Sequence, residues 1–259
     1  PAFSGELSVP LGLAEPLPLT ERAVVARRAA AMIPRGAVVN LGVGMADGVA
    51  AVVAEEGRLD ELTLTVEQGL VGGVPARGVI FGVAWNPEAV VEHAAQFDFY
   101  DGGGLDVTCL GFAEVDAEGN VNSSLVDGRV FGAGGFINIS QSARRVVFCG
   151  TLTAGGLRTE IADGRLTVLS EGRVRKFVPR VQHMTFNAAR ARARGQEVFY
   201  VTERAVFELT DRGVALREIA PGQTVEGITA LMGFEPVVDR EVVPMPARLF
   251  TAAEGRVAS

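Results

Sequence analysis

The sequence predicts an α/β fold: an open, mainly parallel sheet with flanking helices, plus antiparallel hairpins later in the chain. Three observations carry that expectation. Short apolar runs such as AVVNLGVG and SARRVVFCGT read as strands buried on both faces. In the first half these runs alternate with helical stretches, the pattern that lays parallel strands side by side. In the second half, β-branched runs are punctuated by Asp-Gly and Glu-Gly, which imply hairpins.

The opening residues, PAFSGELSVPLGLAEPLPLT, are rich in Pro and Gly, and residues 1–18 read as a linker-like arm before a domain over 19–259. With no initiator Met, the chain reads as a piece of something longer. Thr20 is placed to cap a helix through TERAVVARRAAAMI that stops at Pro34-Arg35-Gly36, and its alanine-rich surface suits close packing. Ala37 to Gly44 is the first buried strand, and MADGVAAVVAEEG is a helix that Gly57 ends. A second strand, ELTLTVEQG, carries Glu67 at its far end and leads into the loop GLVGGVPARG. EAVVEHAAQFDFYDGG then predicts a helix running into a turn.

LDVTCLGFAEVD and GNVNSSLV predict strands separated by the Asp116-to-Asn120 turn. SARRVVFCGTLT is another apolar strand. RTEIADGRLTVLSEGRVRKFV predicts hairpins at its two Gly turns, and EVFYVTERAVFELTDRGVALREIAPG a final βα pattern. VEGITALMGF predicts the last helix.

Composition limits the partners. The 31 acidic against 24 basic residues give a formal charge of -7, the wrong sign for a phosphate-neutralising nucleic-acid surface. No apolar run reaches the 18 to 20 residues needed to span a bilayer, so a cytoplasmic protein is expected. Cys109 and Cys149 sit inside apolar strands and read as buried free thiols. Two distant histidines and no Cys/His cluster leave no structural metal site.

Three segments could carry chemistry. Gly42-Val43-Gly44 joins strand to helix, where backbone N–H groups can cradle an anion. Its spacing from Gly48, G-x-G-x-x-x-G, departs from the dinucleotide fingerprint. Glu67 is more informative: a lone carboxylate at the C-terminal end of an apolar strand lies where open α/β sheets bind ligands. The flanking Gly69, Gly72 and Gly73 leave room for a substrate, and a nucleophilic or general-base role follows. Gly132-Ala133-Gly134-Gly135-Phe136 offers consecutive uncovered amides for an oxyanion. Arg173, Arg175 and Lys176 form a dense basic run, read as a solvated hairpin face. His93 and His183 have no visible partner, and the serines lack a G-x-S-x-G elbow.

In order, VVNLGVG, TVEQGLVGGVP, GNVNSS and FGAGGFINIS resemble the motif set of family I CoA-transferases. FDFYDGGGLDV, VVFCGTLTAGGL, EGRVRKFV and YVTERAVFEL resemble the single-chain acetate/propionate type, of which this chain resembles the C-terminal, β-subunit-like half. The resemblance implies a CoA-transferase-like fold with Glu67 as nucleophile. Its carboxylate attacks an acyl-CoA thioester, and a γ-glutamyl-CoA thioester follows through an acyl-glutamyl anhydride. It also implies that Gly135 stabilises the oxyanion and that Asn40, Leu41, Gly42, Val43, Gly44, Gly72, Gly73, Asn122 and Gly134 contact coenzyme A. The expected partners are acyl-CoA, short-chain carboxylates, an N-terminal α-type half and further copies of the enzyme. Two alternatives stay open: an acyl-CoA hydrolase using Glu67, and a metabolite-sensing module on the same fold.

Overall fold

A computed structural model describes residues 1–10 and 17–252. Among them, one ten-stranded sheet organises the chain. Its strands are β1 (Val38–Leu41), β2 (Thr63–Val66), β3 (Leu70–Val71), β4 (Ala89–Val90), β5 (Val107–Gly111), β6 (Arg145–Cys149), β7 (Glu197–Val201), β8 (Ala205–Thr210), β9 (Gly213–Ile219) and β10 (Val243–Pro244). The order across the sheet is β10-β9-β8-β7-β6-β5-β1-β2-β3-β4. The central run β2-β1-β5-β6-β7 is parallel, with Asn40 level with Thr65 and Leu41 with Cys109. Antiparallel pairs flank it on both sides. The expected mainly parallel sheet with hairpins is therefore present.

Alternate residues of the apolar strands feed two cores. Along β6, Val147 and Cys149 join Val39, Leu41 and Cys109 in one, while Val146 and Phe148 join Leu110 and Tyr100 in the other. Helices α1 (Glu21–Ala30) and α2 (Gly48–Glu55) cover the first core. Their small residues allow close approach, since a Cβ at Gly48 would lie 3.2 Å from Ala26 Cβ. Helix α3 (His93–Phe99) and helix α4 (Phe136–Ser142) lie with the second core. Helices α5 (Ala188–Ala193) and α6 (Val225–Ala230) complete the set. Both cysteines are buried and free.

Several boundaries differ from the sequence reading. Thr20 stands at the N-cap of α1 but its side chain makes no capping bond, and the helix ends at Ala30. The front of the EAVVEHAAQF stretch is strand β4, because Ala89–Val90 pairs with β3 and only then does α3 begin. LDVTCLGFAEVD is two strands, β5 and Glu114–Asp116; the latter pairs with Val121–Asn122 across the Asp116 turn, where Asp116 Oδ1 accepts from the amides of Glu118 and Asn120. The final βα pattern is instead the meander β7-β8-β9, whose β-branched residues pair in an antiparallel ladder. The Asp163-Gly164 turn closes a hairpin as expected. The Glu171-Gly172 turn does not, since Val174–Arg175 pairs with Thr153–Ala154. Of the opening arm, residues 11–16 lie outside the described residues. Val9 exchanges backbone bonds with the Asn86 side chain, and Phe3 rests on Trp85.

A buried ion cluster ties that turn to the sheet. Arg204, just after β7, donates to Glu203 Oε1 at 2.6 Å and to both carboxylate oxygens of Glu171 at 2.8 and 3.0 Å. Glu203 Oε2 accepts from the Leu152 amide at 2.9 Å. Arg204 holds the Glu171 carboxyl down at about 2, while burial pushes that of Glu203 up. The Glu171 contribution to stability is present above the ordinary value of 4.5 and is lost as pH falls towards about 2. Replacing Arg204 by Ala strands a fully buried carboxylate. The expected cost is about 3 to 5 kcal/mol of unfolding free energy in a urea titration at neutral pH.

Candidate active site

Because β1, β2 and β5 run parallel, their C-terminal ends open on one edge of the sheet, where the chain leaves each strand for a loop. There a cavity of about 520 Å³ forms. From β1 come Asn40 and Leu41, followed by Gly42 and Val43; from the turn just after β2, Glu67; from β5, Leu110 and Gly111, followed by Phe112 and Ala113. The segment Phe131–Phe136 closes the opposite wall, with Phe81, Ser123 and Ile139. The lining is apolar and aromatic apart from Glu67 and a few small polar groups.

Glu67 is half-buried against Gly135. A Cβ at Gly135 would collide with Glu67 Oε2 and with Phe97 Cζ, so a side chain there would push the carboxylate and the ring aside. Burial raises the Glu67 carboxyl above its ordinary value, and the charge of His93 opposes that rise. Below the site lies a buried polar network. The Tyr100 hydroxyl donates to Thr65 Oγ1 at 2.9 Å and accepts from Gln96 Nε2 at 2.9 Å and Asn40 Nδ2 at 3.3 Å. Thr108 Oγ1 lies 3.3 Å from Asn40 Oδ1, and Thr65 Oγ1 donates to the Val39 carbonyl. These bonds join α3 to β1, β2 and β5 directly beneath the carboxylate.

The chain is 48% identical over 252 residues to the acetate CoA-transferase YdiF of Escherichia coli O157:H7, covering 97% of this chain and 48% of that protein. It superimposes on the YdiF apoenzyme crystal structure with a TM-score of 0.89, covering 98% of this chain and 47% of that one at 47% identity. A YdiF thioester complex with CoA matches at 0.85, with 48% identity over 90% of this chain and 44% of that one. The chain has a family I CoA-transferase fold. To the caffeate CoA-transferase of Acetobacterium woodii it is 44% identical over 257 residues, 97% of this chain and 49% of that protein. It thus spans about half the length of these curated relatives. It spans 97% of the probable coenzyme A transferase subunit beta of Bacillus subtilis (strain 168), at 26% identity over 86% of this chain. No family model matches the sequence.

Within this CoA-transferase fold, six of the ten positions that the resemblance assigns besides Glu67 line the cavity: Asn40, Leu41, Gly42, Val43, Gly134 and Gly135. Four others do not. Gly72 and Gly73 have positive φ and press on Glu88 and on the backbone of Trp85 and Asn86, so they shape the loop after β3. Gly44 turns away, its carbonyl accepting from Arg22. The Asn122 side chain is consumed internally: it donates to Glu114 and the Leu125 carbonyl and accepts from the Ser124 and Leu125 amides. Its neighbour Ser123 reaches the cavity in its place.

The basic run divides. Arg173 and Arg175 are exposed, whereas Lys176 is buried with Nζ 3.9 Å from the centre of the Phe112 ring, and burial brings its amine down to about 8. None of the three lines the cavity. Both histidines have neighbours that spacing did not reveal: His183 Nδ1 lies 2.7 Å from Ser124 Oγ, and the His93 ring lies 4.9 Å from the Phe97 ring, centroid to centroid. The aromatic wall of Phe81, Phe112 and Phe131 was likewise not singled out. Its only sequence signal is adjacency to glycine or, for Phe81, to the Glu67 loop. Among the described residues, no group of three or more His, Cys, Asp or Glu converges as a metal site would require, and no helix is long and apolar enough to cross a membrane.

The electrostatics set a stability test. A Glu raised by burial favours the folded state when protonated, and that advantage is lost as pH rises through the raised value. Glu67→Gln removes the desolvated charge. The variant is expected to melt above wild type at pH 7, with the difference closing as pH falls below the ordinary carboxylate range, in calorimetric scans across pH.

Proposed function

We propose that residues 19–259 form the catalytic, β-type half of a cytoplasmic acyl-CoA:carboxylate CoA-transferase acting on short-chain acids. The observation that carries this reading is the Glu67 carboxylate held against Gly135 in an apolar cavity shared with the Asn40–Val43 turn. The names of the relatives, acetate and caffeate CoA-transferase, and the CoA thioester complex of YdiF support it.

In the proposed cycle, a Glu67 carboxylate oxygen attacks the carbonyl of acyl-CoA, and the C–S bond breaks to give an acyl-glutamyl anhydride and the CoA thiolate. The thiolate attacks the glutamyl carbonyl, releasing the first carboxylate and leaving a γ-glutamyl-CoA thioester. An acceptor carboxylate then runs the two steps in reverse. A carboxylate suits the task, being ionised at neutral pH and a good leaving group from its anhydride. The Gly135 amide is assigned to the tetrahedral oxyanion, and Asn40, Leu41, Gly42, Val43 and Gly134 to the thiol end of CoA and the acyl chain. Gly44, Gly72, Gly73 and Asn122 act by shaping the loops that carry these groups. The aromatic lining keeps water from the activated glutamyl carbonyl.

Val43 and Phe131 of the cavity lining are exposed, as are Val79 and Ile80 before Phe81 and Ile137 after Phe136, apolar side chains of the kind another protein surface covers. We assign it to an N-terminal α-type half or subunit, with further assembly into oligomers. The length comparison supports this, because the full-length relatives are twice as long.

Two measurements test the reading. With an N-terminal half supplied, the rate of new acyl-CoA formation from acetyl- or propionyl-CoA is expected to depend on an added carboxylate and to vanish in Glu67→Gln. CoA release at a rate indifferent to the carboxylate would make the protein a hydrolase, and binding without turnover a sensing module. Gly135→Ala drives a methyl into the Glu67 carboxylate. A displacement on that scale is expected to lower kcat about 100-fold with little change in thermal midpoint.

A further inference from the structure

The face that α3 turns inward is polar. Of its seven residues only Gln96 is buried, beside a half-buried Phe97. Tyr100, one turn further on, is fully buried where α3 passes into the π-helical turn Tyr100–Gly104. A helix docked for burial alone presents aliphatic side chains at that spacing. Here the buried residues four apart are hydrogen-bonding ones, and both reach the end of β2.

Chemistry fixes the direction of each bond. The Val39 carbonyl can only accept, so Thr65 Oγ1 donates to it at 2.9 Å and accepts from the Tyr100 hydroxyl. The side-chain amide nitrogens of Gln96 and Asn40 can only donate, and both give to the Tyr100 oxygen. That uses the one proton and both lone pairs of the hydroxyl. The second proton of Gln96 Nε2 has the Val66 carbonyl before it, at 3.4 Å.

Thr65 and Val66 immediately precede the turn that carries Glu67. That turn is closed by the Gly69 amide donating to the Val66 carbonyl at 2.9 Å, with Gly69 at φ 113°. A carboxylate on a turn shares the mobility of the turn, and this one has to stay against Gly135. We propose that Tyr100 and Gln96 are positioning residues for Glu67: through Thr65 and the Val66 carbonyl they clamp the last two residues of β2, and so hold the turn that presents the carboxylate to the Gly135 loop. Neither of them lines the cavity. The catalytic part of this statement rests on the reading of Glu67 as nucleophile.

Two variants remove the bonds and keep the packing. Tyr100→Phe deletes the hydroxyl alone, and Gln96→Met keeps the length of the side chain without its amide. The first readout is the backbone order parameter of Glu67, from 15N relaxation of the 259-residue chain. It is expected near the rigid value of about 0.85 in wild type and to fall towards 0.6 in either variant, with the amides of β6 unchanged. The second readout is turnover with an N-terminal half supplied, well below the melting midpoint of each variant. Gln96→Met is expected to lower kcat about 10-fold at unchanged KM for acyl-CoA, and Tyr100→Phe, which also frees Asn40, by up to about 100-fold. The double variant is expected to lose no more than the poorer single, because both act through one clamp. A Glu67 backbone as rigid in both variants as in wild type overturns the proposal. So does a double variant whose losses multiply, or a kcat unchanged in both singles while Glu67→Gln is inactive. Turnover that survives Glu67→Gln overturns the nucleophile reading instead, and the order parameters then decide the clamp by themselves.

Discussion

A carboxylate held partly out of water at the C-terminal edge of parallel strands is the constraint that the surrounding structure answers. Ionised Glu67 loses hydration against Gly135 and the aromatic wall, and burial accordingly raises its proton affinity. What opposes that cost is geometry. Parallel pairing of β1, β2 and β5 brings three loop entrances to one edge, so that the turn after β1, the carboxylate after β2 and the wall after β5 face one cavity. Glycine at position 135 then lets the loop before α4 approach the carboxylate where a Cβ would collide with it.

Beneath and behind this edge the protein uses two different kinds of polar burial. Under Glu67, the neutral network of Asn40, Thr65, Gln96, Tyr100 and Thr108 fixes α3 to the strand ends without adding charge, and nearly every member is hydrogen-bonded to another. Behind the Phe112 wall, charge is concentrated instead. Lys176 lies against that ring, Glu203 acts electrostatically on Lys176, and Arg204 joins Glu203 to Glu171. Phe112 therefore borders both an apolar cavity and an ion cluster.

Much of this was legible before any coordinates. Glu67 stands out because a charged residue follows a strand of Thr, Leu and Val, and Gly135 because three glycines in four residues precede a helix. Both signals are local, and the fold brings the two residues together. Asn122 and Gly72–Gly73 lie in motifs of the same kind, yet their roles depend on contacts that local sequence does not encode. Asn122 spends all its hydrogen-bonding capacity on its own turn, and the two glycines yield to a strand some fifteen residues further on. The β7-β8-β9 meander was misread because β-branched alternation and a single helical turn look alike over so short a run.

The central claim is that the Glu67 carboxylate is the atom group to which CoA becomes attached. The measurement that addresses it most directly is an intact mass spectrum of the protein incubated with propionyl- or acetyl-CoA in the absence of acceptor, with and without an N-terminal half, followed by peptide mapping. The account predicts a CoA-sized adduct on the peptide containing Glu67, discharged by added carboxylate and absent in Glu67→Gln. An adduct that maps to another residue, or none under either condition while acyl-CoA is still consumed, would contradict it.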